Sequence, residues 1–305
     1  MGKRVAVLGA RGIGKFHARE FRDAGCEVVA ILGRNDETAQ ETSKILFKEF
    51  SIEARPYGNL ADLLKKEEID AVSICTPPEM HEKHIILCLN AGVNVLCEKP
   101  LILSLKNMKK RSEELFRLAA QKNLILSVNT QMVSLLDYID VDIFTDLEIY
   151  TEPGTKGVIM LEDFLPHANS ILVRMVKNGY AEDIKFIVDE FEKKVISFVY
   201  KSREKQIKVL FVFSHKPSRP RAFKFVIDGK IYERIIGQNY NQRLVSKSDS
   251  KEIEDPLKLS IRQFVASLNK KGSPIVSKEE ILENISLQET IMKEYSLALD
   301  TNKNL

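Results

Sequence analysis

No apolar stretch in the sequence approaches the roughly 20 residues needed to span a bilayer, so nothing in it reads as a transmembrane segment. Cysteine is sparse: Cys26, Cys75, Cys88 and Cys97 all fall in the first third of the chain and lack the paired short spacings of a zinc site. Three of them lie in or beside apolar segments, where a free cysteine behaves as a small buried hydrophobe, and a reducing compartment fits that use. Charge is nearly balanced, at +3 over 305 residues. The densest basic run, Lys109-Lys110-Arg111, falls in a pattern that reads as a solvated helix face, so nucleic-acid binding is unsupported. Tryptophan is missing altogether, which leaves a clear optical background for a fluorescent ligand. Met1-Gly2-Lys3-Arg4 leads directly into strand-like Val5-Ala6-Val7-Leu8, and the expected location is the cytoplasm.

What the chain does contain is alternation. Short apolar runs at Val5 to Leu8, Val28 to Leu32, Ala71 to Cys75, Val93 to Cys97 and Leu124 to Val128 read as strands. Between them, Phe16 to Ala24, Glu37 to Phe50, Leu60 to Lys66, His81 to Ala91 and Leu105 to Lys122 show the apolar spacing of helices, with Gly25 and Gly92 where two of them should stop. Strands alternating with helices predict an α/β domain with a doubly wound parallel sheet over residues 1–123. From 124 to 305 the texture changes to longer alternating runs, Lys194 to Tyr200, Gln206 to Phe213 and Ala222 to Ile227, the last followed by a turn at Asp228-Gly229. Two helical stretches follow, Leu257 to Asn269 and Lys278 to Leu299, which makes the second domain α+β with antiparallel strands. The polar span from Gly237 to Pro256 predicts a surface loop.

Gly9-Ala10-Arg11-Gly12-Ile13-Gly14 follows a predicted strand and opens a predicted helix, the context of a Rossmann dinucleotide fingerprint. Such a site needs a tight turn, close backbone approach to a pyrophosphate, and helix amides facing the anion. Arg11 stands where the second glycine is usual and Gly12 is one place late; the alternative is a structural strand-to-helix turn. At the end of the second strand, where an acidic residue would bind the ribose 2′-hydroxyl of NAD, the chain reads Gly33-Arg34-Asn35. A guanidinium suits a 2′-phosphate, so NADP is favoured with NAD possible. In the other reading Arg34 is merely exposed and Asp36 takes the hydroxyl.

Three further segments carry more specific information: Thr76-Pro77-Pro78 with His81, Ala91 through Glu98-Lys99-Pro100, and Asp163-Phe164-Leu165-Pro166-His167. Together they resemble the Gfo/Idh/MocA oxidoreductase family, and the stretch from Phe264 through Pro274-Ile275-Val276 to the final helix resembles that family's C-terminus. The resemblance implies a two-domain enzyme with a nicotinamide across the strand ends, and a mostly antiparallel open sheet that forms the substrate cleft and often an oligomer interface. By position it implies Lys99 and His167 at the reacting carbinol, with Asp163 as the third member and Glu98 and Pro100 holding the lysine. The residues expected at the cofactor are Gly9, Arg11, Gly12, Ile13, Gly14, Gly33, Arg34, Asn35, Thr76, Pro77, His81, Glu98 and Lys99, and no metal is expected. His17 matches a histidine common in the family's first helix, with packing or phosphate proximity as its expected role.

The residue types make chemical sense independently. Oxidising a secondary alcohol removes the hydroxyl proton as hydride leaves, which asks for a base of near-neutral pKa such as His167. An ammonium at Lys99 stabilises alkoxide character in one direction and polarises the carbonyl in the other. Asp163, four residues before His167, falls on the same side of a helix and can orient the ring or bind a substrate hydroxyl. Pro166 directly precedes the histidine and predicts a helix that starts at His167. Where relatives carry an acidic residue three positions on, this chain has Ser170, and Asn129-Thr130-Gln131 follows the last strand of the first part. The expected function is hydride transfer between nicotinamide and a sugar, cyclitol or similar polyol, in a homo-oligomer, dimer or tetramer, with no nucleic-acid or membrane partner. The alternatives are a non-catalytic NAD(P)-sensing regulator and a reductase of an imine or tetrapyrrole.

Overall fold

A computed structural model describes residues 2–103, 107–247 and 249–302. The chain runs β1 (Arg4–Leu8), α1 (Gly14–Asp23), β2 (Glu27–Leu32), α2 (Asp36–Phe50), β3 (Arg55–Tyr57), α3 (Leu60–Lys66), β4 (Ala71–Ile74), α4 (His81–Asn90), β5 (Asn94–Glu98), α5 (Met108–Gln121) and β6 (Leu126–Asn129). It continues through β7 (Asp146–Thr151), α6 (Ile159–Met175), β8 (Tyr180–Asp189), β9 (Lys193–Lys201), β10 (Gln206–Ser214), β11 (Phe223–Ile227), β12 (Lys230–Ile236), β13 (Gln242–Ser246), β14 (Ser250–Ile253), α7 (Pro256–Leu268) and α8 (Lys278–Asn302).

Two compact units result, one from Met1–Leu103, Lys110–Gln131 and Leu257–Lys278, the other from Ser104–Lys109, Met132–Pro256 and Glu279–Leu305. The first is built on a six-stranded sheet in the order β3-β2-β1-β4-β5-β6, and all its pairings are parallel. Val5 to Leu8 are wholly buried, as expected of a central parallel strand covered on both faces. The predicted boundary at 123 shifts for two reasons. β6 completes this sheet beside β5, and α7 returns to it, setting Phe264 edge-on to Phe21 with ring centroids 6.2 Å apart. The short strand β3, with Pro56 at its centre, has too few residues to show a period and is not legible in the sequence. Part of the predicted helix from Leu105 lies outside the described residues; α5 is described from Met108.

The second unit holds an eight-stranded sheet, β14-β13-β12-β11-β7-β10-β9-β8. Its pairings are antiparallel except β7 with β10. Alternate residues of β9 and β10, among them Phe198, Phe211 and Phe213, share a core with Leu165 and Leu172 of α6 and Ile291 of α8. The Asp228-Gly229 turn forms as predicted, with φ of 46° and 79°, the pair of positive values that a tight hairpin demands. The expected loop from Gly237 to Pro256 is corrected: β13 and β14 pair there as the sheet's last two strands. Polar side chains on both hide the alternation, because β14 is exposed at three of its four positions.

Candidate active site

Because the first sheet is parallel, its strands all end at one edge. The order reverses between β1 and β4, which opens a crevice at their carboxyl ends. Gly9 follows β1 with φ +85°, and a Cβ there would lie 2.6 Å from the Cys75 carbonyl oxygen. Gly14 opens α1, where a Cβ would lie 2.5 Å from the Gly9 oxygen. These two glycines let strand, loop and helix close tightly. Gly12 differs: the space where its Cβ would stand is open, and both it and Arg11 are exposed. No side chain caps the start of α1 after Ile13, so the loop is a cradle in which helix amides can meet an anion. Arg11 stands 3.7 Å from Glu41 of α2.

At the end of β2 the lack of a side chain has a steric cause. A Cβ on Gly33 would lie 2.5 Å from the Ala39 nitrogen, so any carboxylate there would displace α2. Arg34 is exposed. Asn35 accepts from Thr38 N–H at 2.9 Å and closes a capping box, which commits its side chain to α2. Asp36 accepts from Gly58 N–H at 2.9 Å.

Thr76 and Pro77 follow β4, and Lys99 and Pro100 follow β5 across a cis peptide bond. His81, buried at the start of α4, joins the two strand ends: its Nδ1 lies 2.8 Å from the Pro100 oxygen and its Nε2 2.8 Å from the Thr76 oxygen. Nearby, His84 Nδ1 lies 3.1 Å from Thr76 Oγ1. Burial, then the charge of His81, pushes its pKa down to about 4, so the His84 ring is neutral at physiological pH.

Glu98 turns into the interior. Its Oε1 lies 2.9 Å from Nε2 of the fully buried His17 and accepts from Asn129 Nδ2. His17 Nδ1 lies 2.8 Å from Ser73 Oγ, and the Ser260 hydroxyl of α7 donates to Asn129 Oδ1 at 2.8 Å. Burial alone would hold His17 neutral, but the Cys75 thiol and the Glu98 carboxylate outweigh it and raise its pKa to about 10. Burial pushes Glu98 up, yet its hydrogen bond to His17 and the charges of His17 and Lys99 hold it down at about 2. His17 and Glu98 therefore form a buried ion pair. Sequence reading missed Ser73 and Ser260 and gave Asn129 no partner; for Ser73 and Asn129 the available signal was a polar residue at or near the end of a strand, which must find a partner when buried.

The second unit carries Asp163 and His167 one turn apart on α6. Pro166 does not start this helix: it lies in its interior, corrected from the expected start at His167. A proline there leaves the carbonyl four residues earlier without its N–H donor, and Gln288 Nε2 donates to that Glu162 oxygen at 3.5 Å. Asn284 of α8 donates to the Pro166 oxygen at 2.7 Å. The His167 ring is buried with its centroid 5.9 Å from that of Phe164. Thr155 Oγ1 donates to Asp163 Oδ2 at 3.5 Å, and Ser170 donates back to the His167 carbonyl at 2.7 Å. Lys99 belongs to the first unit, and Asp163 and His167 to the second. Among the described residues no group of three His, Cys, Asp or Glu side chains is placed to hold a metal ion, and no helix is long and apolar enough to cross a membrane.

A parallel sheet in this strand order, with a glycine cradle at the reversal point, defines the first unit as a Rossmann domain of the dinucleotide-binding type. Residues 3–130 match the Gfo/Idh/MocA family, described as an oxidoreductase family with an NAD-binding Rossmann fold. The match covers the dinucleotide-binding part of the chain. Over 105 residues it is 34% identical to the 4-carboxy-2-hydroxymuconate-6-semialdehyde dehydrogenase of Sphingobium sp. (strain NBRC 103272 / SYK-6), covering 32% of this chain and 30% of that protein. It is 32% identical over 100 residues to the inositol 2-dehydrogenase/D-chiro-inositol 3-dehydrogenase of Shouchella clausii (strain KSM-K16), covering 32% of this chain and 28% of the relative. The matches thus span less than a third of either relative's length. The solved structure of UDP-N-acetylglucosamine 3-dehydrogenase from Acidithiobacillus ferrooxidans aligns over 95% of this chain and 97% of its own, with a TM-score of 0.72 and 17% identity. That likeness extends the shared fold to both units.

Proposed function

We propose that the chain is a nicotinamide-dependent oxidoreductase acting on a secondary alcohol or ketone of a sugar, cyclitol or similar polyol, with NADP preferred over NAD. The observation that carries this reading is the single sheet edge on which the glycine cradle, Gly33-Arg34, Thr76-Pro77 and Lys99-Pro100 all stand. The open space at Gly12 fits a pyrophosphate, and the bare start of α1 suits its charge. Preference for NADP is supported by the steric exclusion of a side chain at Gly33, the exposed Arg34 and the engagement of Asp36 with Gly58. The cofactor, when bound, would supply hydride transfer at its nicotinamide.

The protein's own groups account for the rest. The Lys99 ammonium stabilises negative charge on the substrate oxygen, whether alkoxide or polarised carbonyl. His167 accepts the hydroxyl proton during oxidation and returns it during reduction, and Asp163, one helical turn away, orients the imidazole or binds a neighbouring hydroxyl. The two inositol and sugar-nucleotide dehydrogenases to which the chain is similar support a polyhydroxylated substrate. A homo-oligomer, dimer or tetramer, is supported by the exposed Ile187, Ile231 and Ile235 on strands of the second sheet, and a cytoplasmic location by the buried free thiols of Cys26, Cys88 and Cys97.

Turnover of NADP(H) with a panel of cyclitols, sugars and their keto forms tests this reading. In His167→Ala, turnover is expected to fall roughly 100-fold or more with NADPH affinity unchanged. Near-normal turnover would remove His167 from the chemistry and favour an imine or tetrapyrrole reductase. Tight binding without turnover of any panel member would favour a sensor.

A further inference from the structure

Ser73, Glu98 and Asn129 stand near the carboxyl ends of the neighbouring strands β4, β5 and β6 and converge on one ring, that of His17 from α1. We propose that His17 is a positioning residue for Lys99: by pairing with Glu98 in the interior it fixes the carboxylate next to the lysine in the chain, and so sets the field in which the ammonium works. The proposal rests on the oxidoreductase reading, which gives Lys99 its role.

The hydrogen bonds define the direction of the network. The Ser260 hydroxyl donates to Asn129 Oδ1, so the Asn129 amide must present its N–H side to Glu98. Ser73 Oγ meets the other ring nitrogen of His17, Nδ1, and stands 3.6 Å from Cys75 Sγ. A carboxylate this deeply buried is tolerable only when paired and hydrogen-bonded, and both conditions are met from four separate elements: α1, β4, β6 and α7. The raised pKa of His17 and the lowered one of Glu98 agree with an ion pair that persists through the physiological range. The other ionisable groups acting on the pair are Cys75 after β4, and Cys97 and Lys99 at the end of β5. A merely structural cluster would pin α1 to the sheet and leave the lysine indifferent to its charge state.

Charge sets the expected signs. Removing the imidazolium leaves an uncompensated carboxylate beside Lys99, which stabilises the ammonium; removing the carboxylate does the reverse. The test needs no substrate: trace labelling of the full chain with acetic anhydride from pH 7 to 11, reading the Lys99 peptide by mass spectrometry. At pH 8, His17→Asn is expected to slow Lys99 labelling about threefold and Glu98→Gln to speed it. The double variant returns toward the wild-type rate. Thermal midpoint and NADPH affinity identify folded variants, and either single variant alone suffices. A folded variant in which Lys99 labels at the wild-type rate, or two that shift in the same direction, would overturn the proposal while leaving the oxidoreductase reading intact. Opposite shifts in a protein that turns over no polyol would sustain the coupling and remove the substrate reading instead.

Discussion

Two histidines at the carboxyl edge of the first sheet receive opposite treatment from their surroundings. His84 is held neutral by burial and the charge of His81, whereas His17 is held charged despite complete burial. The second case has a consequence for stability. Glu98, lowered from 4.5 to about 2, contributes stability that is present above about pH 4.5 and lost as the pH falls toward 2. His17, raised from 6.5 to about 10, contributes stability that is full below about pH 6.5 and lost as the pH rises toward 10. Thermal midpoints measured from pH 6.5 to 10 should therefore decline less steeply in His17→Asn than in the wild type. Parallel slopes would mean that His17 titrates alike in the folded and unfolded chain. The place of Lys99, directly after a buried strand, was legible from its own segment. Its neighbours were not: Glu98 meets a histidine 81 residues earlier and an asparagine 31 residues later, and no local period links them.

At the scale of elements, α6 shows how a local rule gives way to tertiary contacts. Proline ahead of His167 argues for a helix start, yet the helix runs from Ile159 to Met175, and α8 supplies a donor to the carbonyl that the proline orphans. Gln288 covers the Glu162 carbonyl and Asn284 ties the Pro166 carbonyl. Loss of the Asn284 amide leaves a buried carbonyl without that donor, so Asn284→Ala should lower unfolding free energy by about 1–3 kcal/mol in denaturant titrations. An unchanged midpoint would show that α6 holds its course through packing alone. Helices with an apolar face, α2, α3 and α4 among them, were legible to within a residue or two. β13 and β14 were not, because pairing of β13 with β12 and of β14 with β13, rather than their own side chains, makes them strands.

The whole chain is a discontinuous pair of units: α7 leaves the second unit's sequence to join the first, and α8 returns. Only contact in space reveals that exchange, since α7 and α8 read alike as helices in the sequence. The claim on which the rest depends is that the first unit binds NADP. Titration of NADPH and NADH followed by nicotinamide fluorescence, undisturbed by tryptophan in this chain, tests it most directly. The account predicts saturable NADPH binding, tighter than NADH, with Arg34→Ala weakening NADPH by about 1.5–3 kcal/mol and barely changing NADH. Binding of neither nucleotide would contradict it, and an equal effect of Arg34→Ala on both would contradict the assignment of the 2′-phosphate to that guanidinium.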